Sequence, residues 1–210
     1  MKIALLTSPN QWFVPYAKNL QSEIPNASLF FDHTEIDASF EVIFILSYHR
    51  LISQEYLLRH THNIVIHESA LPKGKGWAPL FWQVLEGVKD ITFTMFEASS
   101  GVDDGEVYMQ KELHLTGYEL NNELRESQAN LSIEMCLDFV NNYTMYKIPT
   151  KQTGGESFYS KRTIKDSELD INKTIQEQFN LLRIVNNEEY PAFFIKDGHK
   201  YKLKIEKMEN

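Results

Sequence analysis

The sequence has almost no cysteine and no long apolar run. Its one cysteine, Cys136, excludes an intramolecular disulfide. Cys136 lies in the apolar-periodic run 131–137, which predicts a packed core thiol rather than a nucleophile. No stretch approaches the roughly 20 apolar residues that cross a bilayer, and the apolar run of residues 1–7 is too short for a signal peptide. We therefore expect a cytoplasmic protein with no membrane partner.

Basic residues are also scarce. Lysine and arginine together number 21 against 29 acidic residues, which gives a formal net charge of −8. A nucleic-acid binder normally carries a basic stripe, so no nucleic-acid partner is predicted. The chain lacks a GxxxxGK[ST] loop and a GxGxxG after its first strand, so neither a P-loop NTPase nor a dinucleotide enzyme is supported. His60 and His62 have no well-spaced further ligand, and we predict no metal site.

The first half of the chain alternates strand-like and helix-like segments. Residues 40–46 (FEVIFIL) are almost continuously apolar, as in a strand buried on both faces. Strands are also predicted at 2–7, 28–31 and 63–66, with helices at 11–24 and 53–60. This order predicts right-handed βαβ units and an open, mostly parallel α/β sheet.

The second half of the chain begins with a predicted helix at 79–86, and strands at 91–97 and 107–112 precede a long helix at 117–142. The composition changes at Lys147, where residues 149–155 are typical of a linker. We therefore divide the chain into a core of residues 1–146 and a C-terminal extension of residues 147–210 packed on it. The extension contains a short strand at 157–160, a helix at about 172–185, and a hairpin of strands 192–196 and 200–205 around Asp197-Gly198.

Four polar features follow predicted strands, where open α/β sheets bind their ligands. They are His67, the pair Asp103-Asp104, the segment 47–52, and two lysines spaced by glycine, Lys73 and Lys75. Histidine titrates near neutral pH and suits proton transfer. Each feature also has a simpler explanation, because a histidine can be structural, an acidic pair can form a solvated turn, and the cations can pair locally or lie in a flexible loop.

Residues 63–79 (NIVIHESALPKGKGWAP) resemble the signature loop of the N10-formyltetrahydrofolate-dependent formyltransferases, roughly Asn-x-His-x-Ser-Leu-Leu-Pro before a basic stretch and a helix. Residues 92–108 resemble the family's threonine-containing strand and Asp-x-Gly loop, and 47–52 resembles the loop that walls the folate pocket. Residues 158–170, 182–183 and 190–194 resemble segments of the sugar-modifying members. The resemblance implies a Rossmann-like formyltransferase sheet with a short C-terminal helix and hairpin extension.

The catalytic residues implied by the resemblance are His67, which relays a proton, and Asp103, which orients it. The family's catalytic asparagine, two residues before the histidine, is replaced by Val65. Asn63, two residues further upstream, is the candidate substitute, provided that the strand end bulges. Val65 leaves open a non-catalytic folate- or nucleotide-binding paralogue, and a hydrolase that transfers the formyl group to water is a further alternative.

The resemblance also implies two substrates. The formyl donor is N10-formyltetrahydrofolate, and its predicted contacts are Tyr48, His49, Arg50, Leu51, Ile52, Val102 and Asp103. The acceptor is a nucleotide-linked amino sugar, in particular a UDP-linked 4-amino-4,6-dideoxy-N-acetylhexosamine of a pseudaminic-acid-type pathway for surface glycans. Its predicted contacts are Ser69, Lys73, Lys75, Trp77, Tyr159 and Arg183, with Arg183 and the lysines at phosphate. A short tail and an acidic chain disfavour tRNA. A homodimer through the tail hairpin is a further hypothesis.

Overall fold

A computed structural model describes residues 1–208. The elements in chain order are β1 (Ile3–Leu6), α1 (Val14–Glu23), β2 (Ala27–Phe30), a 3₁₀ turn (His33–Glu35), β3 (Val42–Ile45), α2 (Gln54–Leu57), β4 (His62–His67), β5 (Lys75–Gly76), α3 (Pro79–Leu85), β6 (Asp90–Glu97), β7 (Val107–His114), α4 (Asn121–Asn141), α5 (Tyr143–Tyr146), β8 (Phe158–Tyr159), a second 3₁₀ turn (Ile164–Ser167), α6 (Phe179–Ile184), β9 (Ala192–Lys196) and β10 (His199–Leu203).

The central sheet has six strands in the order β2-β1-β3-β4-β6-β7. The first four are parallel, and β6 and β7 are antiparallel to their neighbours. The predicted open, mostly parallel α/β sheet is therefore confirmed. The order reverses at β1, so the carboxyl ends of β1, β3 and β4 share one edge of the sheet.

Two hydrophobic clusters cover the two faces of the sheet. On one face, α1, α3 and α4 pack over Leu5, Phe44 and Ile64. On the other face, a smaller cluster of Leu6, Ile43 and residues of α2 covers the strands. The strand predicted from FEVIFIL is buried on both faces because it lies inside the sheet. Cys136 of α4 is fully buried in the larger cluster, as its apolar surroundings predict.

Two predicted helices are shorter than their sequence patterns. The helix predicted at 172–185 spans only Phe179–Ile184, because Thr174 caps a turn through Glu177, and Gln178 bonds back to the Asp170 backbone. Such side-chain bonds compete with helical backbone bonds. The helix predicted at 53–60 is confined to Gln54–Leu57.

The C-terminal part of the chain is tied to the sheet region at several points. Strand β8 pairs with β5 in parallel, and Thr150 bridges to Val107. The β9–β10 hairpin turns at Asp197 and Gly198, both with positive φ, as a two-residue hairpin turn requires. Between residues 1 and 208, no helix is both long enough and apolar enough to span a bilayer.

Candidate active site

His67 is the last residue of β4, with its side chain only 6% exposed at the carboxyl edge of the sheet. Its Nε2 lies 2.8 Å from the Gly74 carbonyl oxygen and 3.6 Å from Asp103 Oδ2. Both of these oxygens accept hydrogen bonds, so Nε2 carries the proton in the neutral ring. Nδ1 is then the nitrogen with a free lone pair, which is the property that a general base needs.

Asp103 lies in the loop after β6 and accepts two hydrogen bonds from other parts of the chain. The Gly76 N–H donates to its Oδ2 at 2.8 Å, and the Gln152 amide donates to its backbone oxygen at 2.9 Å. Gln152 also binds the Gly105 carbonyl. A Cβ on Gly105 would lie 1.6 Å from the Glu97 carbonyl oxygen, so only glycine fits there. In the Asp-x-Gly pattern, the glycine is thus required by packing and the aspartate by its contact with His67.

Asp103 has a positive φ of 48°, as do Ser47 after β3 (55°) and Ala78 before α3 (47°). Non-glycine residues adopt this conformation at an energetic cost, and such strain is concentrated at functional sites. Ser47 follows β3, which is parallel to β4, so this strained residue lies at the same edge of the sheet as His67.

An apolar shelf lies on the sheet face that carries His67. It consists of Tyr48, Ile52, Val65 and Ala98, all partly buried against the smaller cluster. Nearby in sequence, the Ser99 hydroxyl is buried with no hydrogen-bond partner among residues 1–208. A shelf of this kind, with polar atoms at its margin, fits a flat heteroaromatic ring such as a pterin.

The predicted folate-wall residues separate into two groups. Tyr48 and Ile52 belong to the shelf, whereas Arg50 forms an ion pair with Asp32. A hydrogen bond from the Thr34 backbone, then the Arg50 guanidinium, lower the pKa of Asp32 to about 2. The His49 ring lies 2.9 Å from Oε1 of Gln11, in the segment before α1.

Two other predicted folate contacts, Leu51 and Val102, project into solvent at 98% and 63% exposure. Neither side chain belongs to the apolar shelf.

Asn63 is not brought to the histidine. It lies four residues before His67, about 13 Å along a strand. Its amide donates to the Leu57 carbonyl at 2.9 Å and to Glu97 Oε1 at 3.2 Å. Strand β4 runs without interruption to His67, so the bulge that Asn63 would need is not present, and its prediction as the third catalytic residue is wrong.

Two cations predicted at phosphate are buried in ion pairs. Arg183 is 2% exposed and binds the Glu119 carboxylate at 2.9 Å. Lys75 is 3% exposed and binds Asp104 at 2.9 Å and Glu156 at 2.8 Å. Burial would lower the pKa of Lys75, but these bonds raise it instead. Both predictions are corrected, because an occupied, buried cation cannot meet a phosphate.

The other predicted acceptor contacts are mixed. Ser69 is buried beneath Gly74, so it offers no surface to a ligand. Tyr159 stacks on Trp82 and donates to Glu86, which makes it part of the packing. Lys73 is exposed to solvent. Trp77 is half exposed and lines a pocket.

That pocket, called the cationic pocket below, has a volume of about 440 Å³. It lies between α1, α3, α4 and the segment after β8, and its cations are Arg125, Lys161 and Arg162. Sequence reasoning missed all three. A signal existed for Arg125, because it lies on the same helical stripe as buried Ala129 and Ser132.

A larger depression of about 640 Å³ lies along the outer edge of the sheet. It is lined by residues of β7 and α4, and β7 is two strands away from β4. Its cation Lys111 is already paired with Glu134 and Asp138. It is therefore a weaker candidate for a site.

The family model described as formyl transferase matches residues 25–138. The chain therefore belongs to the formyl transferase family, a family of enzymes. The methionyl-tRNA formyltransferase of Thermosipho melanesiensis is 34% identical over 118 residues, which cover 56% of this chain and 38% of that protein. The enzyme of the same name from Thermodesulfovibrio yellowstonii is 26% identical over 80% of this chain and 56% of its own length. The chain thus spans about half the length of the curated relatives it matches.

Solved structures agree on the fold. A methionyl-tRNA formyltransferase from Clostridium thermocellum superposes with a TM-score of 0.83 at 18% identity, covering 100% of this chain and 94% of that one. A 4-N formyltransferase from Francisella tularensis gives 0.69 at 18% identity, with 99% of each chain covered. HypX from Aquifex aeolicus, solved with tetrahydrofolic acid, gives 0.79 at 18% identity over 98% of this chain and 37% of that one.

Proposed function

We propose that this protein transfers a formyl group from N10-formyltetrahydrofolate to the amino group of a nucleotide-linked amino sugar. The observation that carries the proposal is the His67–Asp103 pair, whose histidine shares a strand face with Val65 of the apolar shelf and whose aspartate accepts from Gly76, the residue before Trp77 of the cationic pocket. The shelf residues Tyr48, Ile52 and Val65 would hold the folate ring. The donor supplies the acyl carbon on a nitrogen leaving group.

Formyl transfer to an amine needs a base. The acceptor nitrogen must lose a proton as its bond to the formyl carbon forms and the bond to the folate nitrogen breaks. Nδ1 of His67 accepts that proton, and the imidazolium returns it to the leaving nitrogen. Asp103 faces Nε2 and stabilises the charged ring. The proton taken from the acceptor amine is thus returned to the folate nitrogen by His67 alone.

The oxyanion formed during acyl transfer needs a donor that Val65 cannot provide. Asn63 is occupied elsewhere, so the protonated ring of His67 or a backbone N–H takes this role. Loss of one oxyanion donor typically slows an enzyme by about 10²–10³-fold. We therefore expect turnover below that of relatives with asparagine at this position.

The acceptor is the second part of the proposal. Several curated relatives are named methionyl-tRNA formyltransferases, which favours a tRNA acceptor. A net charge of −8 opposes tRNA binding, and a pocket of about 440 Å³ suits a small molecule. A UDP-linked 4-amino-4,6-dideoxy-N-acetylhexosamine is the first acceptor to assay, with methionyl-tRNA as the competing one.

Mass spectrometry tests the proposal directly. The protein, N10-formyltetrahydrofolate and a panel of amino-sugar nucleotides should yield tetrahydrofolate and a product heavier by one formyl group. His67→Asn keeps the size of the ring but cannot relay the proton, and it should lower kcat at least 100-fold, as should Asp103→Asn.

Three results would contradict the proposal. Formylated methionyl-tRNA without any sugar product would move the acceptor to tRNA. Free formate without an acceptor would indicate a hydrolase. Binding of both ligands with no product over hours would indicate a non-catalytic paralogue.

A further inference from the structure

Arg125 of α4 lines the cationic pocket and makes no direct hydrogen bond to a carboxylate within residues 1–208. Its guanidinium carbon lies 4.4 Å from the ring centroids of both Trp12 and Phe81, so two aromatic faces hold it. Burial lowers the pKa of Arg125 to about 10, and the group therefore stays charged at neutral pH. Within residues 1–208 its guanidinium donates to the Gln128 amide oxygen rather than to a carboxylate, and the carboxylates of Glu68 and Glu189 act on it only at longer range.

Arg162, in the segment after β8, has the same property. Its guanidinium donates to the Asp166 carbonyl at 3.0 Å and lies 3.5 Å from the Ser167 hydroxyl. Within the described chain it donates to no carboxylate oxygen. Its Nε is buried and has no hydrogen-bond partner in the same region. An unpartnered buried donor costs free energy unless a ligand satisfies it.

The rest of the cationic pocket matches an anion attached to a flat ring. Lys161 lies over Trp77, with its Nζ 4.8 Å from the ring centroid, and adds a third positive charge. Glu189 is the one acidic side chain among the lining residues, and it is exposed. Tyr16 and Tyr190 supply further aromatic surface, and asparagine amides line the same wall. Three cations, aromatic faces and amides together suit the phosphates and base of a nucleotide.

The pocket is connected to both residues of the catalytic pair. Arg125 donates to the Gln128 side-chain oxygen at 3.0 Å, and Gln128 donates to Glu68, the residue after His67. On the other side, Trp77 follows Gly76, whose N–H binds Asp103. The wall of the pocket is thus linked to the His67 segment by hydrogen bonds and to Asp103 through Gly76.

We infer that the cationic pocket binds a nucleoside diphosphate, with Arg125 and Arg162 as its phosphate ligands in place of Arg183 and Lys75. The biological role of this pocket rests on the proposed function, because the nucleoside diphosphate would be the part of the acceptor that does not react. The binding itself needs no formyl donor. It is therefore measurable apart from catalysis.

The experiment titrates the full chain with UDP in the absence of folate, by calorimetry and tryptophan fluorescence. We expect Arg125→Met and Arg162→Met each to raise the Kd for UDP at least tenfold. Arg59→Met, an exposed arginine at the end of α2, is the matched control and should stay within twofold. Uridine, which lacks phosphate, should bind more weakly than UDP, with a Kd that Arg162→Met changes less than twofold.

The controls separate this inference from the proposed function. Thermal melts check that each variant folds. Arg162→Met lies on a loop, so we expect it to disturb folding less than Arg125→Met. Absence of UDP binding to the wild type, or equal Kd values for the wild type and both variants, would overturn the inference, as would tight binding of methionyl-tRNA without UDP binding. If UDP binds as expected but no sugar is formylated, the pocket stands and the proposed function fails. If sugar is formylated but the two variants bind UDP normally, the assignment of the phosphates is wrong.

Discussion

At the scale of single residues, the His67 ring is held by acceptors on one side only. The acceptor oxygens of Gly74 and Asp103 favour the proton on Nε2, which leaves Nδ1 as the nitrogen with a free lone pair. The neighbouring position 65 is a partly buried valine on the same strand face. In the proposed reaction, an apolar side chain there supplies no hydrogen-bond donor to the oxyanion and leaves the His67–Asp103 pair unchanged.

Restoring the missing amide gives a test at this scale. Val65→Asn places a donor two residues before His67, as in the family pattern, and we expect kcat to rise by about tenfold or more. Val65→Leu is the size-matched control and should not raise kcat. Steady-state kinetics with formyltetrahydrofolate and the best acceptor measure both. A Val65→Asn enzyme no faster than the leucine variant would show that another donor already fills this role.

At the scale of elements, the β5–β8 pairing brings the C-terminal part of the chain onto the catalytic loop. Gly76 has a φ of 100°, and a Cβ there would lie 2.4 Å from the Tyr159 carbonyl oxygen. The same residue donates its N–H to Asp103. This short pair of strands therefore determines where the aspartate lies.

Gly76→Ala should separate these strands. We expect a stability loss of about 2–4 kcal/mol from the close contact and the strained φ, together with a large loss of activity. Gly198→Ala in the hairpin turn is the matched control, because its φ is 80° but a Cβ would meet nothing within 4 Å. It should cost about 1 kcal/mol and leave activity unchanged. Urea unfolding and kinetics compare the two, and equal effects would refute the role of the pairing.

A second element-scale prediction concerns the Glu119–Arg183 pair between the loop before α4 and α6. Burial would raise the pKa of Glu119, but bonds from Thr116 and neighbouring amides lower it to about 2. A depressed carboxyl pKa contributes stability above pH 4.5, its ordinary value, which is lost as the pH falls toward 2. The contribution at pH 7 is up to about 3 kcal/mol.

Glu119→Gln should therefore be less stable than the wild type at pH 7, with a difference that shrinks at pH 3. Urea unfolding at both pH values measures this, and Glu126→Gln on the exposed side of α4 is the control. The same difference at pH 7 and pH 3 would show that the charge of Glu119 is not the cause.

At the scale of the whole molecule, the sequence predicted the sheet well and the acceptor contacts poorly. Buried strands such as 40–46 have a local apolar signature, and His67 follows one of them, so both were accessible from pattern. Lys75 and Arg183 were misplaced because charge alone does not reveal burial, and their partners Glu156 and Glu119 are distant in sequence. The cationic pocket was missed because its arginines come from segments that meet only in the folded chain.

The same distant contacts predict how the molecule unfolds. Ile184 belongs to the main core, and Gln152 donates hydrogen bonds to the Asp103 loop. Residues 147–210 therefore contribute both to the core and to the support of this loop. We expect the full chain to unfold in one cooperative transition, with coincident fluorescence and far-UV circular dichroism curves. A chain of residues 1–146 should be markedly less stable and at least 100-fold less active, because the loop that holds Asp103 loses its supports. Two separate transitions, or an active short chain, would show instead that residues 1–146 form an independent unit.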